Sequence, residues 1–321
     1  MCTNSSASAS RRSSSSNGRR GRAARRAVAA ALFAAAAVAA CSAGREPAFD
    51  GERAFPYLEE QCALGPRDPG SAGHGLVREY LVRRLEEYGA AVSRQPFEAV
   101  LTTGDTLSLE NIVGSFRPAE KRRVLLGAHF DTRPRADRDP DEANRGFPIP
   151  GANDGASGVA VLLEIARLLG GARPPVGVDI VFFDGEDWGE EGRTEDYLLG
   201  SKHYASRLGG RRPAAVIVVD MVGKRGARFP IEGFSGAASP GLVSRIWGAA
   251  EELGIEAFER RRGPTIIDDH LPFIQAGIAA AVIIDFDYPH WHTLADTPDK
   301  CDARSLEAVG RVLVRFLWGA R

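Results

Sequence analysis

His129, Asp154, the adjacent pair Glu186-Asp187, Asp220 and His292 are the side chains here best suited to chemistry. Imidazoles and carboxylates are the groups zinc selects as ligands. A carboxylate left over could move protons. Most of these groups follow an apolar run or a glycine-rich turn. His129 closes residues 124–128, Glu186-Asp187 follows 180–183, Asp220 closes 216–219, and Asp154 lies within 151–158. Open α/β sheets bind ligands at the carboxyl ends of their strands. A carboxylate placed there is costly unless a cation or a proton compensates it. Surface residues scattered by chance would not fall after apolar strands in this way.

Each group also has a plainer reading. His129 could be a hydrogen-bonded core histidine, although Asp131, two residues on, could orient its ring as a ligand. Asp154 could be a helix cap, but Ser157 is the better-placed cap and leaves Asp154 free. The two oxygens of Asp154 could bridge two ions. Glu186 and Asp187 are adjacent and point apart, so one can hold a metal while the other serves as a general base. Asp268-Asp269-His270 forms a third acidic turn. His74 and His203 read as ordinary helix residues, and His290 as a residue at the rim of a site.

Strands and helices must carry these groups. Residues 53–65 read as a helix ending at Gly65-Pro66. Residues 71–88 read as a second, with Leu76, Tyr80, Leu81 and Leu85 at helical spacing. Residues 99–109 and 111–116 read as strands with a Gly-Asp turn. Residues 124–128, 178–183, 214–219 and 279–284 are continuous apolar runs, as in parallel strands covered on both faces. Helices are expected over 159–169, 240–253 and 302–318. Residues 133–150, charged and proline-rich, read as a loop. The alternation predicts an α/β fold: three layers, α/β/α, around a central mixed, mostly parallel sheet. Residues 51–321 are expected to form one catalytic domain.

The chain has 321 residues and a formal net charge of −1. That balance hides an asymmetry, because residues 1–40 hold seven arginines and no acid. The remainder is acidic, which argues against nucleic acid as a partner. The basic segment precedes an apolar stretch, 27–40, that suits a signal peptide and is too short to span a bilayer comfortably. Val38-Ala39-Ala40-Cys41 resembles a bacterial lipobox; the alternative is an ordinary signal peptide cleaved after Ala-x-Ala. Export, an envelope or periplasmic location with an anchor at Cys41, and a tether over 41–50 are therefore expected. Contact with membrane is expected only through that anchor. Export permits disulfides, and Cys62 and Cys301 are either a pair or two buried thiols.

From about Phe49 onward the chain resembles the superfamily of zinc-dependent aminopeptidases and glutaminyl cyclases. The resemblance rests on Gly65-Pro66-Arg67, Ala128-His129-Phe130-Asp131, Gly155-Ala156-Ser157-Gly158, Phe182-Phe183-Asp184-Gly185-Glu186-Asp187, Gly200-Ser201, Asp268-Asp269-His270 and Trp291-His292-Thr293. It implies a phosphorylase/hydrolase-like fold of zinc exopeptidase type. In the two-zinc aminopeptidase branch, Asp154 would bridge, Asp187 and His292 would complete one site, and His129 and Asp220 the other. In the cyclase branch Asp154, Asp187 and His292 would hold one zinc. Glu186 would shuttle the proton, Asp220 and Asp268 would form a hydrogen-bonded pair, and Trp291, Trp188 and Tyr288 would meet the substrate. The long segment between Asp187 and Gly200, the Asp-Asp-His turn, and Trp291 before His292 favour the cyclase. Asp187 departs from the Glu of animal cyclases. The resemblance thus implies a monomeric enzyme that converts N-terminal Gln of peptides to pyroglutamate with release of ammonia. The alternatives are a metallo-aminopeptidase and a non-catalytic binding ectodomain.

Overall fold

The computed structural model describes Met1, residues 45–190 and residues 192–319. The chain divides into a unit over Met1–Ala43 and another over Gly44–Arg321. Apart from Met1, the described residues belong to the second. The expected signal segment and Cys41 lie outside the described residues, Met1 apart.

Asp50 caps helix α1 (Gly51–Ala63) by accepting from the Arg53 N–H, and Ser71 caps α2 (Ala72–Glu87) through the His74 N–H. The chain then forms β1 (Ala91–Val100), β2 (Thr106–Phe116), β3 (Arg123–His129), α3 (Ala156–Gly171), β4 (Gly177–Phe183) and α4 (Leu199–Ser206). It continues with β5 (Ala215–Asp220), β6 (Phe229–Ile231), α5 (Gly233–Ala238), α6 (Pro240–Glu252) and β7 (Phe258–Arg262). It closes with α7 (Leu271–Gln275), β8 (Ala280–Ile284) and α8 (Ala303–Trp318). Six strands form one sheet in the order β1-β2-β4-β3-β5-β8, and β6 pairs with β7 in a small second sheet. Only β2 runs against the other strands of the large sheet. The architecture is the expected mixed, mostly parallel α/β fold.

Alternation along the central strands builds two cores. Leu126, Ile180, Phe182, Ile217 and Val219 face one core, with α1, α3, α6 and α8. Leu125, Val181, Phe183, Val216 and Val218 face the other, with Phe273 of α7 and Tyr204 of α4. Each fully buried apolar side chain contributes roughly 2 kcal/mol. Gly158 brings α3 onto β5, because a Cβ there would stand 2.2 Å from the Val219 carbonyl oxygen.

Several elements differ from the sequence reading. The Gly104-Asp105 turn joins β1 to β2, so the strand expected over 99–109 is broken there. Phe97 is the one buried residue of β1, which has no readable apolar period. β2 continues through Glu110, whose charge is met by Arg94 on β1 at 2.9–3.0 Å. Ser157 is not a cap: Gly155 holds the N-cap position of α3, and the Ser157 hydroxyl donates to the Asn153 carbonyl and accepts from the Val222 N–H. Cys62 and Cys301 are free thiols, and burial pushes the pKa of each up. Among the described residues no helix is long and apolar enough to cross a membrane.

Candidate active site

Parallel neighbours bring the expected groups to one edge of the sheet. His129 is in register with Phe183, the last residue of β4, and Asp220 with Ile284, the last of β8. The turn after β4 carries Glu186 and Asp187, and the chain after β8 leads to His292. Asp154 enters just before α3. Gly155 follows it at φ 94°, where a Cβ would press within 2.9 Å of the Asp131 carbonyl oxygen. His292 itself holds a left-handed backbone at φ 56°, and Met221, next to Asp220, at φ 47°. Non-glycine residues rarely adopt this conformation, and such strain clusters at functional sites.

Among the described residues, two groups of side chains could each hold a metal ion: Asp154, Asp187 and His292, and His129, Asp154 and Asp220. They share Asp154, so its carboxylate could bridge. Their hydrogen bonding differs. His129 Nε2 lies 3.1 Å from Asp220 Oδ1 in a direct hydrogen bond and 3.3 Å from Asp154 Oδ1. In the other group, Asp154 Oδ2 and Asp187 Oδ2 are buried without a hydrogen-bond partner, 3.7 and 3.2 Å from His292 Nε2. Buried carboxylate oxygens left open in this way suit a cation. Two carboxylates and one imidazole are a donor set that zinc accepts.

The surroundings fix both groups. The Asp131 carboxylate accepts the N–H groups of Glu186 and Asp187 at 3.1 and 3.2 Å. The Asp296 carboxylate accepts those of Asn153 and Asp154 at 2.9 and 3.1 Å, and the Tyr288 hydroxyl at 2.7 Å. Arg133, 1% exposed, donates to Asp187 Oδ1 at 2.9 Å and to Asp137 Oδ1 from Nε at 2.9 Å. Asp137 Oδ1 stands 3.3 Å from His292 Nδ1. One guanidinium therefore braces Asp187 directly and His292 through Asp137. Arg67 of Gly65-Pro66-Arg67 is fully buried and donates to the carbonyls of Phe130, Pro150 and Gly151, fixing the loops around His129 and Asp154. His74, in α2 as expected, binds Asp184 at 2.8 Å and steadies the turn leading to Glu186.

The electrostatics set the groups apart. Burial pushes the Glu186 carboxyl well above its ordinary range, and the charges of Asp187, Asp269 and Asp268 add to it. Burial and Asp220 push Asp268 up to about 7. Burial opposes ionisation of Asp187 too, but His292 and Arg133 outweigh it and hold its pKa down. Burial alone would lower His292; Asp187 and Asp137 overcome it and raise the imidazole to about 9. Asp296 is pushed up to about 7 by burial and by Asp154.

A pocket of about 340 Å³ opens over Asp154, Glu186, Asp187, Asp220, Asp268 and His292. Its walls include Tyr197, Met221, Ile266, Ile284, Phe286 and Trp291. The Trp291 ring lies against His292 and Phe286, with centroids 3.8 and 4.9 Å away. Glu232 accepts the Ile266 N–H at 3.0 Å and meets His270 at 3.1 Å, tying down the loop that presents Ile266 and Asp268.

Two residues expected to meet substrate do not line this pocket. Tyr288 is buried with its hydroxyl committed to Asp296. Trp188 is half-buried, its carbonyl accepting from Arg135, and Tyr197 and Thr194 form the wall on that side. His290 is also absent from the lining. Asp220 and Asp268 lie within electrostatic reach of each other, but the direct hydrogen-bond partner of Asp220 is His129. Arg133, Asp137, Asp296 and Glu232 were not singled out in the sequence. Their only signal is charge, in segments without periodicity.

Known proteins share this fold. A glutaminyl cyclase from Bacteroides thetaiotaomicron, solved with N-acetylhistamine, superposes with a TM-score of 0.84 at 38% identity, over 86% of this chain and all of that one. A leucine aminopeptidase precursor from the same organism superposes with a TM-score of 0.84 at 38% identity, over 86% of this chain and 99% of the other. Bovine glutaminyl-peptide cyclotransferase is 26% identical over 78% of this chain and 77% of its own length. The profile of peptidase family M28 matches residues 111–317, well over half of the sequence, and the chain belongs to that family.

Proposed function

We propose that this protein is a zinc-dependent glutaminyl-peptide cyclotransferase, acting on the N-terminal Gln of peptides or proteins. The observation that carries this reading is the difference between the two candidate ion sites. The open carboxylate oxygens belong to Asp154 and Asp187 beside His292, while His129 and Asp220 already bond to each other. One ion at Asp154, Asp187 and His292 is therefore the better fit. The cyclotransferases among the relatives point the same way.

Zinc held there would polarise the γ-carbonyl of the bound Gln. The remaining chemistry belongs to the chain. The pocket brings the α-amine of the peptide close to its own γ-carbonyl carbon, so proximity supplies much of the acceleration. A new bond forms between that nitrogen and carbon, and the bond from the carbon to the side-chain nitrogen breaks. Glu186 takes the proton from the α-amine and returns it to the departing nitrogen, which leaves as ammonia. Its raised pKa suits both halves of this task. Asp268, near 7, can keep a proton and donate a hydrogen bond to the reacting carbonyl or leaving group. Trp291, Phe286 and Ile266 exclude water that would hydrolyse the amide.

The second reading is a two-metal aminopeptidase. The group His129, Asp154 and Asp220 favours it, as does the aminopeptidase precursor among the structural neighbours. Metal analysis with paired assays separates the two. One zinc per chain with ammonia release from Gln-peptides supports the cyclotransferase. Two zincs with release of free amino acids would overturn it. No metal and neither activity would favour a binding ectodomain. The reading includes export by residues 1–40 and an anchor at Cys41, supported by the lipobox-like sequence, and a monomer, supported by the family resemblance.

A further inference from the structure

A second hollow, of about 280 Å³, adjoins the pocket over the acid–imidazole cluster. Thr194 and Ile267 line both, so the two share a wall. Ile267 is 49% exposed, one of few large apolar side chains so placed among the described residues. Leu198, Leu271 and Pro272 make most of the remaining surface of the hollow apolar.

The charges at the hollow narrow its ligand. Among the described residues, Lys202 is the sole cation lining it. Its ammonium donates to the carbonyls of Thr194, Glu195 and Tyr197 at 3.3, 2.9 and 2.7 Å. An ammonium has three donors, and all three are spent on holding this loop. Glu195 adds a negative charge at the lining. An acidic ligand would therefore meet a carboxylate and no available cation, whereas an apolar one would cover Ile267 and Leu271.

We propose that this hollow receives an apolar side chain from one of the two residues after the N-terminal Gln of the substrate peptide. The proposal rests on the cyclotransferase reading. A chain that leaves the first pocket past the shared wall brings its next side chains over the second. The first pocket then selects the reacting residue, and the second ranks substrates by the side chains next to it.

The test is ammonia release from Gln-Leu-Ala-amide, Gln-Ala-Leu-amide, Gln-Ala-Ala-amide, Gln-Asp-Ala-amide and Gln-Ala-Asp-amide. At least one leucine peptide should exceed the all-alanine peptide on the order of tenfold in kcat/KM, the scale set by burying an added apolar group. The aspartate peptide of the same position should fall below it. Leu271→Ser should bring the leucine preference within about twofold. Gln275→Trp, at an exposed position on the rim, should do the same by filling the hollow. Equal rates for all five peptides would overturn the subsite, as would a leucine preference that survives both substitutions. Ammonia from none of the peptides would instead overturn the cyclotransferase reading on which it rests.

Discussion

A carboxylate that must stay ionised in an apolar interior needs a fixed partner, and Asp187 has Arg133. The guanidinium occupies Oδ1 and leaves Oδ2 open towards His292. Arg133→Met should weaken zinc affinity about 10- to 100-fold, the usual cost of losing a group that orients a ligand. Competition with a chromogenic chelator measures this, and unchanged affinity would remove Arg133 from that role. Glu186 differs, since its carboxylate lines the pocket and belongs to neither candidate ion group. Glu186→Gln should lower turnover at least about 100-fold while the protein keeps its zinc; metal analysis and an ammonia assay on one preparation check both. Glu186 works as a base only when ionised, and burial raises its pKa. Activity should therefore decline as pH falls. Most of the candidate ligands were legible because they follow an apolar strand or a glycine turn. Arg133, Asp137 and Asp296 were not, because a charge in an aperiodic loop acquires its meaning only from where the loop folds.

Among the elements, the loop over residues 133–150 does more than its composition suggests. The Arg138 N–H donates to the His292 carbonyl at 3.1 Å, and Asp139 accepts the Leu294 N–H at 3.0 Å. A stretch without periodicity thus clamps the segment that carries His292. β1 escaped a sequence reading for a related reason: an edge strand with one buried side chain has no apolar alternation to detect. The parallel strands were legible because both of their faces are covered. The loop bearing Asp268 depends on Glu232. Burial opposes ionisation of Glu232, but His270 and the N–H groups of Ser235, Ile266 and Phe234 overrule it and hold its pKa at about 2. Its ordinary value is 4.5, so the folded protein gains stability above that pH and loses it as pH falls towards 2. Glu232→Gln should cost about 2 kcal/mol at neutral pH, and the difference from the parent should shrink through that window. Denaturant titrations at several pH values would show it; a pH-independent difference would contradict this role for Glu232.

At the scale of the whole molecule, one sheet edge gathers groups from four strands and the start of a helix. The same scaffold serves in a cyclase and in an aminopeptidase precursor of equal similarity to this chain, so the fold does not choose the reaction. In the proposed function, the choice lies in which carboxylates remain open for an ion and in the walls around Glu186. Those walls came partly from Ile266, Phe286 and Tyr197, which sequence reasoning passed over in favour of Trp188 and Tyr288. Apolar and aromatic residues are common in any core, and only the fold distinguishes those that face a cavity. The most direct measurement is mass analysis of the products formed from a Gln-initiated peptide by the purified, zinc-loaded protein. A cyclotransferase yields a single peptide product that has lost one ammonia and kept every residue, and this is the expected result. Free Gln together with a peptide shortened by one residue would contradict it.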